Sequence, residues 1–131
     1  MKEQFKEFME SSLGLELWSK GDVIYRSKKS GVEGLLDFIG QHGREHEGLI
    51  IFDKIVGQGV ALLAAYLKAE EVYGITGSKL AAENLEKFKI KFYFEKTVDN
   101  ILNKDKTDLC PLEKLSFDRS PEEFYRRLAD K

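Results

Sequence analysis

Asp53 and Lys54 form a charged pair directly after the apolar run Leu49 to Phe52, which predicts a strand covered on both faces. A lysine ammonium group could neutralise a phosphate, and an aspartate could accept a hydrogen bond from a sugar hydroxyl or a base amine. The alternative is a mutual or surface ion pair between the two side chains. Because the pair interrupts an otherwise apolar stretch, we favour a ligand site at the end of this strand.

The glycine turn Gly57-Gln58-Gly59 follows, and it leads into Val60 to Leu67, an apolar segment that predicts a helix buried on all sides. No Ser, Thr, Asp or Asn stands at the start of this helix, and no acid lies in its first turn. Its first N–H groups therefore lack a side-chain partner and could bind a phosphate or carboxylate. Water or neighbouring backbone could equally satisfy these groups, since glycine is an acceptable N-cap.

A second turn from strand to helix is predicted at Thr76-Gly77-Ser78, with Ser78 as the N-cap. Ligands bind outside the carboxyl ends of strands in an open α/β sheet, so both turns are expected to border one crevice. The predicted ligand-binding residues are Asp53, Lys54, Gly57, Gln58, Gly59, Thr76, Gly77, Ser78 and Cys110.

Cys110 stands just before a proline at the predicted start of a short turn or helix at residues 110–113. A cysteine at a helix start could act as a nucleophile or a sulfur carrier. No histidine partner is evident, so a small buried hydrophobic residue is the favoured interpretation. If the protein is an enzyme, the candidates for catalysis are Asp53, Lys54 and Cys110.

His42 and His46 lie four residues apart with Glu45 and Glu47 nearby, a pattern that superficially suggests a metal site. Glycines bracket the segment, and metal sites need three or four convergent ligands, so we predict a solvated loop and no metal. The Gly57 turn also fails the dinucleotide-binding pattern, because Leu62 stands where a third small residue is required. No cofactor is predicted.

Hydrophobic periodicity predicts the elements that position these residues. Helices are predicted over residues 2–12, from Ser30, over residues 60–67, after Ser78, at residues 110–113 and from Ser120. Strands are predicted over residues 13–18, 23–27, 49–52, 71–76 and 90–98; the first two form a hairpin, and the last alternates as near a sheet edge. Together they predict one domain over residues 1–131, a three-layer α/β/α sandwich with a mixed, mainly parallel sheet.

Composition restricts the classes of partner. The net charge of -2 disfavours nucleic-acid binding, which requires a basic face. No apolar segment has the length of a membrane span, so no membrane partner is expected. The single cysteine cannot form an internal disulfide, which favours a reducing, cytoplasmic setting.

Several segments carry a resemblance to a known fold. They are IYRSKKSGVEGLLDFI, FDKIVGQGVALL, EVYGITGS, GSKLAAENLEKFKIKFYFEK and CPLEKL. Their order, ββ-α-β-α-β-α-β, resembles that of the cytidine deaminase-like fold. More closely, the chain is similar to a small uncharacterised prokaryotic family assigned to that fold, over roughly residues 15–115.

The chain departs from true deaminases where those enzymes bind zinc. Their His-x-Glu motif would stand at Gly57-Gln58-Gly59, and their Pro-Cys-x-x-Cys motif would stand at residues 76–79. Neither motif is present, which strongly disfavours zinc-dependent deamination. Zinc-free relatives, including a formyltransferase domain of purine synthesis, still bind nucleotide-like substrates, so the resemblance implies a retained crevice for such a ligand.

Three functional hypotheses follow. The first is a binding protein for a nucleotide or another phosphorylated small molecule, without turnover. The second is a metal-free transferase or hydrolase that acts on a nucleotide-like substrate. The third is a structural or regulatory module that joins a homo-oligomer or a partner through apolar surfaces.

Overall fold

The computed structural model describes residues 1–29, 31–100 and 119–129. The strands are β1 (Leu15–Ser19), β2 (Asp22–Ser27), β3 (Ile50–Val56), β4 (Glu71–Ser78) and β5 (Lys91–Val98). The helices are α1 (Lys2–Glu10), α2 (Gly31–His42), α3 (Gln58–Tyr66), α4 (Lys79–Lys87) and α5 (Pro121–Ala129). The predicted helix over residues 110–113 and the predicted helix start at Ser30 lie outside the described residues.

The five strands form one mixed sheet in the order β2-β1-β3-β4-β5. β1 pairs antiparallel with both β2 and β3, whereas β3, β4 and β5 pair in parallel. Four strands therefore run in one direction and β1 runs in the other. The predicted hairpin and the predicted mixed sheet are confirmed, and β5 lies at an edge of the described sheet as its alternating pattern indicated.

Helices cover both faces of the sheet, but unequally. On one face, the side chains of Leu17, Ile51 and Val72 lie in register across three strands and are fully buried beneath α2, α3, α4 and α5. On the other face, α1 is the one described helix that packs on the sheet, through Phe5 and Phe8. α3 is buried on nearly all sides, as its uniformly apolar composition predicted.

Two strands continue well past their predicted ends, at the residues of the candidate site. β3 continues through Val56, so Asp53 and Lys54 lie inside the strand and not at its end. β4 continues through Ser78, so Thr76 and Gly77 are strand residues and not a turn. In both cases the backbone pairing with a neighbouring strand persists past the residue types that usually end a strand. Within the described part of the chain, no helix is long and apolar enough to cross a membrane.

Candidate functional site

The start of α3 lacks a side-chain cap, as predicted, but it is covered. Gly57 occupies the N-cap position with extended backbone, and no side chain caps the first turn. Gly57, Gln58 and Gly59 are all buried. A Cβ atom on Gly59 would lie 2.8 Å from Val32 and 3.0 Å from Phe124. The glycine therefore allows α2 and α5 to pack closely over this turn, where the sequence had suggested close approach of a ligand.

Asp53 caps the start of α2. The backbone N–H of Gly31 donates to both Asp53 carboxyl oxygens, at 3.0 and 3.1 Å, and the N–H of Ile55 donates to Oδ1 at 3.2 Å. The side chain is fully buried. Burial raises the pKa of the Asp53 carboxyl to about 7, although the N–H groups of Gly31, Ile55 and Lys54 act in the opposite direction. This carboxyl therefore acts as an N-terminal cap of α2, although it belongs to β3 and not to the residues that precede the helix.

Lys54 caps the C-terminal end of α1. Its Nζ donates to the backbone carbonyl of Ser11 at 3.1 Å, where α1 has just ended. A cation at a helix C-terminus satisfies a free carbonyl and complements the helix dipole. Since consecutive strand residues point to opposite faces, Asp53 and Lys54 do not meet, and the described structure contains no ion pair between them.

Ser78 and Gly77, at the end of β4, also make contacts within the fold. Ser78 is fully buried, and its Oγ accepts a hydrogen bond from the N–H of Ala81 at 3.0 Å, which confirms the predicted N-cap of α4. Gly77 lies directly beneath the ring of Phe94, which fills the space that a Cβ would need. Thr76 is partly exposed. The two predicted turns thus border α3 and α4, but their backbones are covered.

A groove of about 480 Å³ opens beside the start of α3, between α4 and the start of α5. We call it the α4–α5 groove; its lining is Gln58, Asn84, Lys87, Phe88, Arg119, Ser120 and Pro121. Among the described lining residues there are two cations, two side-chain amides, an aromatic ring and no acid. Of the predicted site residues that the structure describes, Gln58 alone lies on its wall.

The wall at the start of α5 has the capping geometry that the sequence predicted. The N–H of Glu123 donates to Ser120 Oγ at 3.2 Å, and the Ser120 hydroxyl donates to Glu123 Oε1 at 3.1 Å. Asn84, Lys87 and Arg119 line the groove but were not among the predicted site residues. No local sequence signal marks them, because Arg119 is far from the other two in the chain and only tertiary packing brings them together.

The two histidines take part in an aromatic cluster. The rings of His42 and His46 lie 6.0 Å apart between centroids, and each packs against Phe38, at 5.1 and 5.8 Å. α2 ends at His42, so the loop that was predicted over Gln41 to Glu47 begins two residues later, at Gly43. In the ranges that the structure describes, no group of three or more potential metal ligands converges. Cys110 lies outside those ranges.

The family model described as TM1506, a domain of unknown function (DUF1893), matches residues 4–131. The chain belongs to the DUF1893 family. The crystal structure of a DUF1893 family protein (TM1506) from Thermotoga maritima is similar to it, with a TM-score of 0.86 and 26% sequence identity. The match covers 98% of this chain and 87% of that chain. No curated protein matches.

Membership of DUF1893 confirms that the chain is related to an uncharacterised family, as the sequence predicted. The agreement with a DUF1893 crystal structure over nearly the whole chain supports the α/β architecture described above. Neither match carries the name of a reaction or a ligand, so function must be argued from the geometry of the chain itself.

Proposed function

We propose that this DUF1893 protein binds a phosphorylated, nucleotide-like small molecule in the α4–α5 groove, without turnover. The observation that carries the proposal is the described lining of this groove, which presents Lys87 and Arg119 together with Phe88 and includes no acid among the residues that the structure describes. The groove volume of about 480 Å³ is within the usual range for small-molecule sites.

Each part of a nucleotide has a matching group in the lining. Lysine and arginine are the usual side chains for phosphate, the first as a point charge and the second as a planar fork of donors. The Phe88 ring is only partly buried and lies 5.7 Å from Lys87 Nζ, so an aromatic base could stack near the bound phosphate. Asn84 donates through Nδ2 to the carbonyl of Leu80 at 2.9 Å, and its amide oxygen can accept from a base or sugar.

The proposal includes the cytidine deaminase-like relationship. Gln58 belongs to the first turn of α3, where a zinc deaminase would carry its motif, and it also lines the α4–α5 groove. The groove is thus our candidate for the crevice that the resemblance implies. The contacts differ from those predicted, because Asp53, Gly57 and Ser78 are buried and Lys54 lies near the end of α1.

The alternative of a metal-free enzyme depended on Asp53, Lys54 or Cys110. Asp53 has no exposed surface and caps α2, and the Lys54 ammonium donates to a backbone carbonyl. No described contact favours turnover over binding, so binding is the function we propose. A cytoplasmic location and assembly into a homo-oligomer stay sequence-based predictions.

A thermal-shift titration with nucleotides, nucleosides and inorganic phosphate tests the proposal. A ligand at one hundred times its Kd stabilises the folded state by about 2.7 kcal/mol, so a nucleotide should raise the melting temperature by several degrees. The matching nucleoside should give a smaller shift, because it lacks the phosphate that the two cations would bind.

Substitutions locate the site. Lys87→Ala and Arg119→Ala should each reduce the nucleotide-dependent shift, whereas Lys28→Ala, at an exposed lysine near the opposite edge of the sheet, should not. Lys54→Ala should also leave the shift intact, since this lysine lies at the end of α1. Absence of any shift, or a shift that depends on Lys54 and not on Lys87, would refute binding in this groove.

A further inference from the structure

A second groove, of about 540 Å³, lies on the other face of the sheet, between α1 and strands β4 and β5. We call it the α1 groove; its lining is Lys2, Phe5, Lys6, Met9, Tyr73, Tyr93 and Glu95. Of the described helices, the nine-residue α1 packs on this face and four pack on the opposite one, which leaves room beside α1 for the groove. The described linings of the α1 groove and the α4–α5 groove share no residue, and nothing proposed above uses the α1 groove.

The floor of the α1 groove is aromatic. The Phe5 ring lies 5.4 Å from the Tyr73 ring and 6.1 Å from the Tyr93 ring, measured between centroids. Tyr93 is 49% exposed, although large apolar side chains are usually covered in a folded core. An exposed aromatic ring beside a concave apolar surface is typical of a binding site.

The rim of the α1 groove is cationic. Lys2 and Lys6 lie one helical turn apart on α1, and both are exposed. Neither forms an ion pair with any residue that the structure describes. The three acids of α1 do not line the groove, so the helix directs only its positive side chains towards it.

Among the described lining residues of the α1 groove, one is acidic, Glu95. It accepts a hydrogen bond from the Tyr93 hydroxyl at 2.8 Å, a contact that holds the carboxylate beside the tyrosine. The neutral hydroxyl does not cancel the charge of Glu95, so the two lysines and this acid give the described lining a net charge of +1. The groove thus combines an aromatic floor with a net positive lining.

We propose that the α1 groove binds a small amphipathic anion, a molecule with an apolar chain or aromatic body and one carboxylate or sulfonate group. The apolar body lies on Phe5, Tyr73 and Tyr93, where it is removed from water. The anionic group lies at Lys2 and Lys6, which are complementary to it in charge. This assignment is independent of the function proposed for the α4–α5 groove.

Anilinonaphthalene sulfonate is a suitable probe because it combines an aromatic body with a single anionic group, and its fluorescence rises on binding. We expect saturable binding to the folded full chain, and competition by decanoate. Decyltrimethylammonium, which has a chain of the same length and the opposite charge, should compete far less. Equal competition by decanol and decanoate would overturn the assigned charge selectivity.

Matched variants test whether the probe binds in the α1 groove. Tyr93→Ser should weaken binding by on the order of tenfold, because it removes an exposed aromatic contact. The double variant Lys2→Gln/Lys6→Gln should weaken binding by up to about tenfold, as expected for two exposed charge contacts. The control Lys28→Gln/Lys96→Gln changes two other exposed lysines and should bind as the unaltered protein does.

The unfolding temperature and the oligomeric state of each variant are measured beside its probe binding, by thermal unfolding and by sedimentation. Binding that persists unchanged in both α1-groove variants, while these variants unfold at the normal temperature, would overturn the proposal. A change from dimer to monomer in Tyr93→Ser would also overturn it, because a second copy of the chain would then be the occupant.

Discussion

Replacing Asp53 by asparagine should change the pH dependence of stability more than any exposed substitution. The carboxyl is fully buried and accepts N–H groups from Gly31 and Ile55. Both N–H groups reach Oδ1, at 3.0 and 3.2 Å, so the amide oxygen of an asparagine can accept the same two hydrogen bonds. The substitution therefore removes the titration of the group and keeps the cap of α2.

The sign and size of the effect follow from linkage. The pKa of Asp53 is about 7 in the folded protein, against 3.8 for an unperturbed aspartate. Between these values the folded state holds a proton that the unfolded state has released, so the stabilisation is complete at low pH and is lost as pH rises to 7. The full difference corresponds to about 4 kcal/mol, at about 1.4 kcal/mol per pKa unit. From pH 5 to pH 8 the expected loss from this group is about 3 kcal/mol.

Urea unfolding of both proteins at pH 5 and pH 8 measures this loss. The unaltered protein should lose about 3 kcal/mol more unfolding free energy than Asp53→Asn between the two pH values. All other titrating groups cancel in this comparison, and Asp22→Asn, at an exposed aspartate, is the matched control. Parallel changes in the two proteins would refute the reasoning. If the unaltered protein lost less unfolding free energy between pH 5 and pH 8 than Asp53→Asn does, the reasoning would also be wrong, because the N–H groups would then keep the buried carboxylate ionised.

Four other substitutions test helix capping and close packing by urea unfolding. Ser78→Ala removes a buried cap and should lower the free energy of unfolding by about 1 to 2 kcal/mol. Ser120→Ala, at the exposed start of α5, should lower it by less. Equal losses would contradict the role given to burial. Gly59→Ala places a Cβ 3.0 Å from Phe124 and should destabilise by about 1 to 3 kcal/mol. Gly40→Ala, inside α2 with nothing near the added Cβ, should instead stabilise by up to about 1 kcal/mol, and a loss of stability there would contradict the open space.

The sequence predicted most of the elements because their signals are local. The alternation of residue types from Ile90 to Glu95 indicated a strand near an edge, and the uniformly apolar α3 indicated a buried helix. Ser78 was predicted as an N-cap because a cap and its helix are adjacent in the chain. These patterns depend on neighbours within one or two turns, which a single sequence contains.

The role of Asp53 was not predictable in the same way. Its partner Gly31 lies 22 residues earlier in the chain, and only the packing of α2 on β3 brings the two together. An acid that follows an apolar run usually marks the end of a strand, so the prediction ended β3 too early. The α4–α5 groove was missed for a similar reason, since Lys87 and Arg119 become neighbours only through tertiary packing.

The adjacent opposite charges in β3 also protect the pairing register of the central strand. A slip of one residue would exchange the two faces and place the Lys54 ammonium against the N–H groups that begin α2. The same slip would direct the Asp53 carboxyl at the Ser11 carbonyl that follows α1. The contact of Lys54 with the N–H groups would be repulsive, and both side chains would lose the hydrogen bonds that they make in the observed register. An apolar strand with no such pair would not carry this penalty, so these two residues help to specify which alignment of the sheet forms.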